Sequence, residues 1–312
     1  FEILFKTLKS HKFQSPIVLI ASHRLLKLQM KALKFNKRIK ILDQKNLGEY
    51  KLNNKVLNLI DENYKTKIAF KKISGDSNKY IENCFNIAVN LIKSGYTNKL
   101  INGPISKKNF LKKKFLGITE YLAYKFKIKN VGMLIYNKSL SVCPVTTHIP
   151  IKFVSKKINR KLIIQKVNLI NEFYKKNFGF KPKIAVTGLN PHCESISNIN
   201  EDKQILIPSI QFLKNKKYKV NGPFPTDTIF LKKNRSKYDV ILGMYHDQVL
   251  TPIKTLYEYD AINITLGLPF TRISPDHGPN ESMLGKNKSN PLSLIKSIKF
   301  LDSIKWLKPK KV

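Results

Sequence analysis

A chain of 312 residues is long enough for two domains or one large α/β unit with a substantial core, and a 42% hydrophobic content excludes a disordered chain. The formal net charge is +38, but 53 of the 58 basic residues are lysines spread over the whole length; such a coat lacks the arginine forks and local stripe of a nucleic-acid reader. No apolar run approaches the roughly 18–20 residues of a bilayer span, and Glu2 interrupts the short apolar stretch at the start, which excludes a signal-peptide layout there.

In chain order, Pro16–Ala21 reads as a buried strand, with a helix from about His23. Residues 76–94 give the clearest helix: Ile81, Cys84, Phe85, Ala88, Val89 and Ile92 form one apolar stripe, Asp76 or Ser77 can cap its start, and Gly95 ends it. Residues 131–136 and 140–145 flank a polar turn and predict a hairpin. A long helix is expected over 154–177, short buried strands at 184–186 and 240–242, and a last helix over 292–306 ahead of a basic tail. Alternating strands and helices at this length imply α/β architecture with a mostly parallel or mixed sheet. No internal repeat or low-complexity linker interrupts the chain.

Cys84, Cys143 and Cys193 are too few and too far apart for a disulfide framework, which fits a reducing cytosol. Asn, Ile, Phe and Tyr are also abundant, so the lysine excess reads as the codon bias of an AT-rich genome, carried on solvated faces.

Of six histidines, three follow one pattern: an apolar strand, a short turn, then the imidazole. Val142–Thr147 leads to His148, Ile184–Pro191 to His192, and Val240–Tyr245 to His246. Ligands of open α/β sheets bind at the carboxyl ends of strands. Three imidazoles delivered there can hold one divalent cation and leave it an open coordination position. Any one strand-end histidine is more often a packed or capping residue, and the separations of 44 and 98 residues match no local metal motif. Cys193, beside His192, reads as a passive small residue rather than a soft ligand. The rigid loop Gly222–Thr228 carries Asp227. Asp247 follows His246 and can orient a ligand or accept a proton. Lys254, Asn263 and Arg272, read as lying on strands or loops, can hold a carboxylate or phosphate. Gly278 and Gly285 bracket a loop where backbone can approach a cofactor, and the sequence has no G-x-G-x-x-G.

Together these segments resemble the 4-hydroxythreonine-4-phosphate dehydrogenase family of pyridoxal phosphate biosynthesis. The resemblance runs through Asn102–Lys107, Gly117–Glu120, Val145–Pro150, Gly188–His192, Gly222–Thr228, Met244–Gln248, Asn263–Pro269 and Ser274–Gly278. It implies a two-domain α/β/α sandwich of the isocitrate/isopropylmalate dehydrogenase-like type, with the active site in the interdomain cleft. A discontinuous cofactor-side domain would comprise 1–105 plus 255–312, and a metal-binding and dimerisation domain 106–254. It further implies a cytoplasmic homodimer with a divalent ion (Zn²⁺, Mg²⁺ or Co²⁺) on His148, His192 and His246, completed across the dimer interface. Substrate contacts would fall on Ile118, Thr119, Lys254, Asn263 and Arg272, and NAD(P) contacts on His277, Gly278 and Asn280. Asp247, Asp227 and Lys254 would be the catalytic groups. The implied reaction is oxidation of the secondary alcohol of 4-phosphooxy-threonine, followed by loss of CO₂. A related dehydrogenase of another phosphorylated hydroxy acid or of a dihydrodiol, and an inactive homologue, are the alternatives.

Three departures bear on them. Ile118 stands where the family has a histidine, Cys193–Ile196 replaces a glycine-rich run, and Pro279–Ser282 replaces a Thr-Ala-x-Asp pattern. The family's first strand and Gly-Asp-Pro-rich turn lie ahead of the segment matching Phe1–Ile3.

Overall fold

The computed structural model describes residues 1–111, 114–194 and 200–304. The expected strand-helix alternation is present, in two compact units: residues 1–115 with 272–312, and residues 116–271.

In the first unit, β1 (Val18–Ala21), β3 (Leu57–Asp61) and β2 (Ile39–Ile41) form a parallel sheet in the order β1-β3-β2. Helices α1 (Glu2–Ser10), α2 (His23–Ala32) and α3 (Asn78–Lys93) belong to this unit, with the single-turn α4 (Lys107–Phe110) and the C-terminal α12 (Leu292–Ser303). Ser22 caps α2 by accepting a hydrogen bond from the Leu25 amide. Phe5, Leu26, Phe35, Leu57 and Leu59 make one core cluster, and Ile60 with Ile87 anchors a second. Strand β4 (Lys99–Ile101) neighbours β11 (Thr271–Pro275), whose first residue closes the second unit. Two expectations need correction. The short apolar stretch at the start is helix α1, whose hydrophobic residues recur at helical spacing. Helix α12 ends at Ser303; Trp306 and the basic tail lie outside the described residues.

The second unit contains β5 (Gly132–Tyr136), β6 (Ser141–Pro144), β7 (Ile184–Thr187), β8 (Val220–Phe224), β9 (Val240–Gly243) and β10 (Ile262–Leu266) in the order β10-β5-β6-β9-β7-β8. The predicted hairpin is present: β5 and β6 are antiparallel, with Ile135 opposite Val142. Strands β6, β9, β7 and β8 run parallel, so their carboxyl ends share one edge of the sheet. All residues of β6, β7 and β9 are buried, as expected for parallel strands covered on both faces.

The helices of this unit are α5 (Ile118–Lys125), α6 (Val154–Lys157), α7 (Arg160–Phe178), α8 (Ile207–Asn215), α9 (Thr226–Ile229), α10 (Lys232–Arg235) and α11 (His246–Tyr257). Val249, Leu250 and Ile253 of α11 pack with Val142, Ala185 and Ile241 of the sheet. Helix α7 packs against β5 and buries Ile163, Val167, Ile170 and Tyr174, whose hydroxyl donates to Ser141 Oγ at 2.9 Å. The single helix expected over 154–177 is broken. Ile158 is extended, and Asn159 starts α7 by accepting from the Leu162 amide at 2.9 Å. Among the described residues, no helix is long and apolar enough to cross a membrane.

Gly267, after β10, has φ +87°, and a Cβ there would press on the Asn130 carbonyl oxygen. Left-handed strain and a backbone clash add, so Gly267→Ala should destabilise the unit by about 2–4 kcal/mol. Urea unfolding checks this as a lower midpoint at unchanged slope.

Candidate active site

Four neighbouring parallel strands deliver the polar side chains. In spatial order, β6 leads to His148, β9 to His246, β7 to His192 and β8 to Asp227. Strand register brings the ends level: Pro144 pairs with Gly243, Val186 with Leu242 and Thr187 with Phe224. The loop before His148 is fixed by Thr146, whose Oγ1 donates to the Met244 carbonyl at 2.8 Å.

His148 and His246 come together, with ring centroids 5.6 Å apart and planes inclined at 43°. Asp247 Oδ1 lies 2.8 Å from His246 Nδ1. A carboxylate only accepts, so Nδ1 donates this bond, which fixes the orientation of the ring and leaves Nε2 as the nitrogen that could reach a ligand. Two imidazoles bound to one ion at about 2.0–2.1 Å, at near-tetrahedral angles, place their centroids about 5 Å apart. The pair therefore suits a divalent ion. Among the described residues, no group of three or more His, Cys, Asp or Glu side chains stands close enough to share one, so the single chain does not gather His192 with the other two.

His192 sits in a turn of left-handed backbone, with φ 55° at His192 and 62° at Cys193. The preceding segment is held by Asp202, which is fully buried and accepts from the Leu189 amide (2.8 Å), the Asn190 amide (3.0 Å) and Asn190 Nδ2 (3.0 Å). A Cβ on Gly188 would stand 2.6 Å from Cys193 Sγ and 3.0 Å from Asp202 Oδ1, so only glycine fits there. Burial, then the Asp202 charge, push the Cys193 thiol up to about 11. It is a thiol at neutral pH. Asp227 is exposed in the first turn of α9, and its charge also reaches Cys193. The segment Gly222–Thr228, read as a rigid loop, is partly strand: β8 runs to Phe224 and α9 begins at Thr226.

The expected substrate-side residues in this unit lie on three elements. Thr119, in the first turn of α5, is 3.3 Å from Thr265 of β10, hydroxyl to hydroxyl. Asn263, also on β10, has a buried Oδ1 with no hydrogen-bond partner. Lys254 lies on α11, not on a strand or loop. Ile118 is 6% exposed and opens α5 as a core residue. Glu120, not singled out from sequence, has a buried Oε2 without a partner. That oxygen and His148 Cε1 lie 2.8 Å and 3.7 Å from the place a Cβ would take on Gly117. An orphaned carboxylate oxygen beside His148 invites a donor from a bound molecule.

In the first unit, Arg272 is 3% exposed on β11 and donates from Nε to Asn102 Oδ1 at 2.8 Å. Asn102, the first residue of the Asn102–Lys107 segment, orients the guanidinium. His277 Nδ1 is 3.3 Å from the Gly278 carbonyl, and its Nε2 is buried without a partner. Nothing lies within 4 Å of a Cβ built on Gly278, which leaves its backbone open to a ligand. Asn280 Oδ1 is occupied within its own turn, accepting from the Ser282 amide (3.0 Å) and hydroxyl (2.7 Å). The Glu281 carboxylate anchors that turn by accepting from the Ile73 amide at 2.6 Å.

The mixed α/β fold, with a parallel-rich sheet flanked by helices, is of the isocitrate/isopropylmalate dehydrogenase-like class. The family described as pyridoxal phosphate biosynthetic protein PdxA matches residues 12–301. The 4-hydroxythreonine-4-phosphate dehydrogenase of Sulfurihydrogenibium sp. is 40% identical over 248 residues, covering 78% of this chain and 75% of its own. That of Ruegeria sp. is 36% identical over 221 residues, covering 69% and 68%. The crystal structure of the Klebsiella pneumoniae 4-hydroxythreonine-4-phosphate dehydrogenase has a TM-score of 0.82 and 26% identity, over 97% of this chain and 95% of that one. A terephthalate 1,2-cis-dihydrodiol dehydrogenase from Burkholderia xenovorans shares the fold, with a TM-score of 0.60 at 15% identity. The chain belongs to the 4-hydroxythreonine-4-phosphate dehydrogenase family.

Proposed function

We propose that this chain catalyses the NAD(P)-linked oxidation of 4-phosphooxy-L-threonine to 2-amino-3-oxo-4-phosphooxybutanoate, which loses CO₂ to give 3-amino-2-oxopropyl phosphate, within pyridoxal 5'-phosphate biosynthesis. The observation that carries the reading is the His148–His246 pair, oriented by Asp247, at the ends of adjacent parallel strands in a chain of this family.

His148 and His246 would hold a divalent ion (Zn²⁺, Mg²⁺ or Co²⁺), with His192 as third ligand and the site completed across a homodimer interface. Such an ion lowers the pKa of an alcohol and offsets the charge that develops on its oxygen. Cofactor binding belongs to the discontinuous segments 1–105 plus 255–312, through His277, Gly278 and Asn280. Metal binding and dimerisation belong to 106–254.

The chain's own groups divide the remaining work. Arg272 and Lys254 offset the substrate's phosphate and carboxylate charges. Thr119 and Asn263 hydrogen-bond its polar groups, beside the apolar Ile118. The alcohol proton passes to Asp247 or Asp227 while its carbon gives hydride to the nicotinamide. The Asp247 side chain is 80% exposed, so a proton taken up there can leave to water. The C–C bond to the carboxylate then breaks, its electron pair moves toward the new carbonyl, and the resulting enolate takes a proton.

Metal analysis of the purified protein with NAD⁺ and NADP⁺ reduction on 4-phosphooxy-threonine tests the reading. The expected result is about one divalent ion per site and substrate-dependent reduction. Turnover only with another phosphorylated hydroxy acid or a dihydrodiol would move the substrate. A metal-loaded protein inert toward every such alcohol would make it a non-catalytic homologue.

A further inference from the structure

Gln248 was visible in sequence only as the residue after His246-Asp247. In the structure it is 7% exposed, in the first turn of α11, and its amide makes four hydrogen bonds. Its Oε1 accepts from the Met244 amide at 2.6 Å and from Thr187 Oγ1 at 2.8 Å. Its Nε2 donates to the Gly188 carbonyl at 2.7 Å and to Thr226 Oγ1 at 3.0 Å. Two acceptor sites and two donors are all a primary amide has. The partners also fix its orientation, because a flipped amide would set its oxygen against the Gly188 carbonyl.

Each partner lies a short step from a candidate functional side chain. Met244 is two residues before His246, Gly188 four before His192, and Thr226 one before Asp227. Met244 also accepts from Thr146, two residues before His148. Three strand ends thus converge on one side chain, and the fourth is joined through Met244. With its hydrogen-bonding capacity spent inside the fold, Gln248 acts through these backbones.

We propose that Gln248 is the positioning residue of the metal centre: its single amide sets the spacing of the loops that carry His192, His246 and Asp227. The proposal rests on reading the three histidines as metal ligands. Buried groups that orient ligands typically change metal affinity roughly 10- to 100-fold when replaced.

The test is Co²⁺ titration of the full chain, read by visible absorption, with circular dichroism and thermal unfolding alongside. Gln248→Glu keeps the side chain's size and the Oε1 acceptor but sets an oxygen against the Gly188 carbonyl. The expected result is a folded protein that binds Co²⁺ roughly 10- to 100-fold more weakly, with an altered absorption spectrum. Thr226→Val, which removes one bond, should shift both readouts less and in the same direction. Wild-type affinity and spectrum in folded Gln248→Glu, even with a lower Tm, would make the residue merely structural and overturn the proposal. If Gln248→Glu does not fold, Thr226→Val and Thr187→Val decide on the same readouts, and no change in either overturns it. Wild-type protein that takes up no Co²⁺ overturns the histidine reading itself, and the positioning role with it.

Discussion

Replacing His246 with alanine should strip the protein of its divalent ion and lower kcat/KM by roughly three orders of magnitude, about 4 kcal/mol of transition-state stabilisation. The fold should survive, because the imidazole is partly exposed at the start of α11 and outside the core cluster beneath it. His148→Ala should behave alike, since either ring alone leaves half of the observed pair. His192→Ala should also remove the ion if a third ligand completes the site. Asp247→Asn separates orientation from ligation: it keeps an oxygen near Nδ1 but loses the charge, and should weaken metal binding roughly 10- to 100-fold. Metal analysis and circular dichroism of the four variants check this. Full metal occupancy in a triple histidine variant would refute the site.

Arg272→Lys should lower kcat/KM roughly 10- to 150-fold with little effect on metal content. Lysine keeps the positive charge. It cannot present the planar fork or donate to Asn102 from the same place, and lost hydrogen bonds to a charged group cost about 1.5–3 kcal/mol. The guanidinium is almost fully buried on β11, so its direction is set by the strand and by Asn102. Asn102→Ala should therefore reproduce part of the loss at full charge. Steady-state kinetics on both variants checks the pair, and an effect confined to stability would remove Arg272 from the substrate side.

The strands leading to the three histidines were legible because each is a short run of apolar residues ending in a turn. Their spatial order was not. In sequence they come as β6, β7, β8, β9, yet β9 lies between β6 and β7, a pairing between residues far apart in the chain. That insertion brings His246, and not His192, beside His148. Lys254 reads from sequence as lying on a strand or loop, but it stands on α11, which runs through Pro252. The break at Ile158–Asn159 carried a legible signal, an asparagine that can cap the helix after it, hidden by apolar residues on both sides. Gln248 and Asp202 were beyond reach, since their importance lies in partners on other strands and loops, and Glu120 because its importance lies in the burial of an oxygen without a partner.

The turn around His192 has an evolutionary consequence. Two successive side-chain-bearing residues adopt the left-handed conformation there, an arrangement costing of order 1–3 kcal/mol each. Cys193 Sγ meanwhile occupies the space a side chain on Gly188 would need. The two positions are therefore coupled in descent. While residue 193 keeps its thiol, 188 is confined to glycine, and a glycine at 193 would relax the backbone and free part of that volume. Asp202 would still stand close enough to limit what entered, so a side chain at 188 should appear only where 193 and 202 have changed as well.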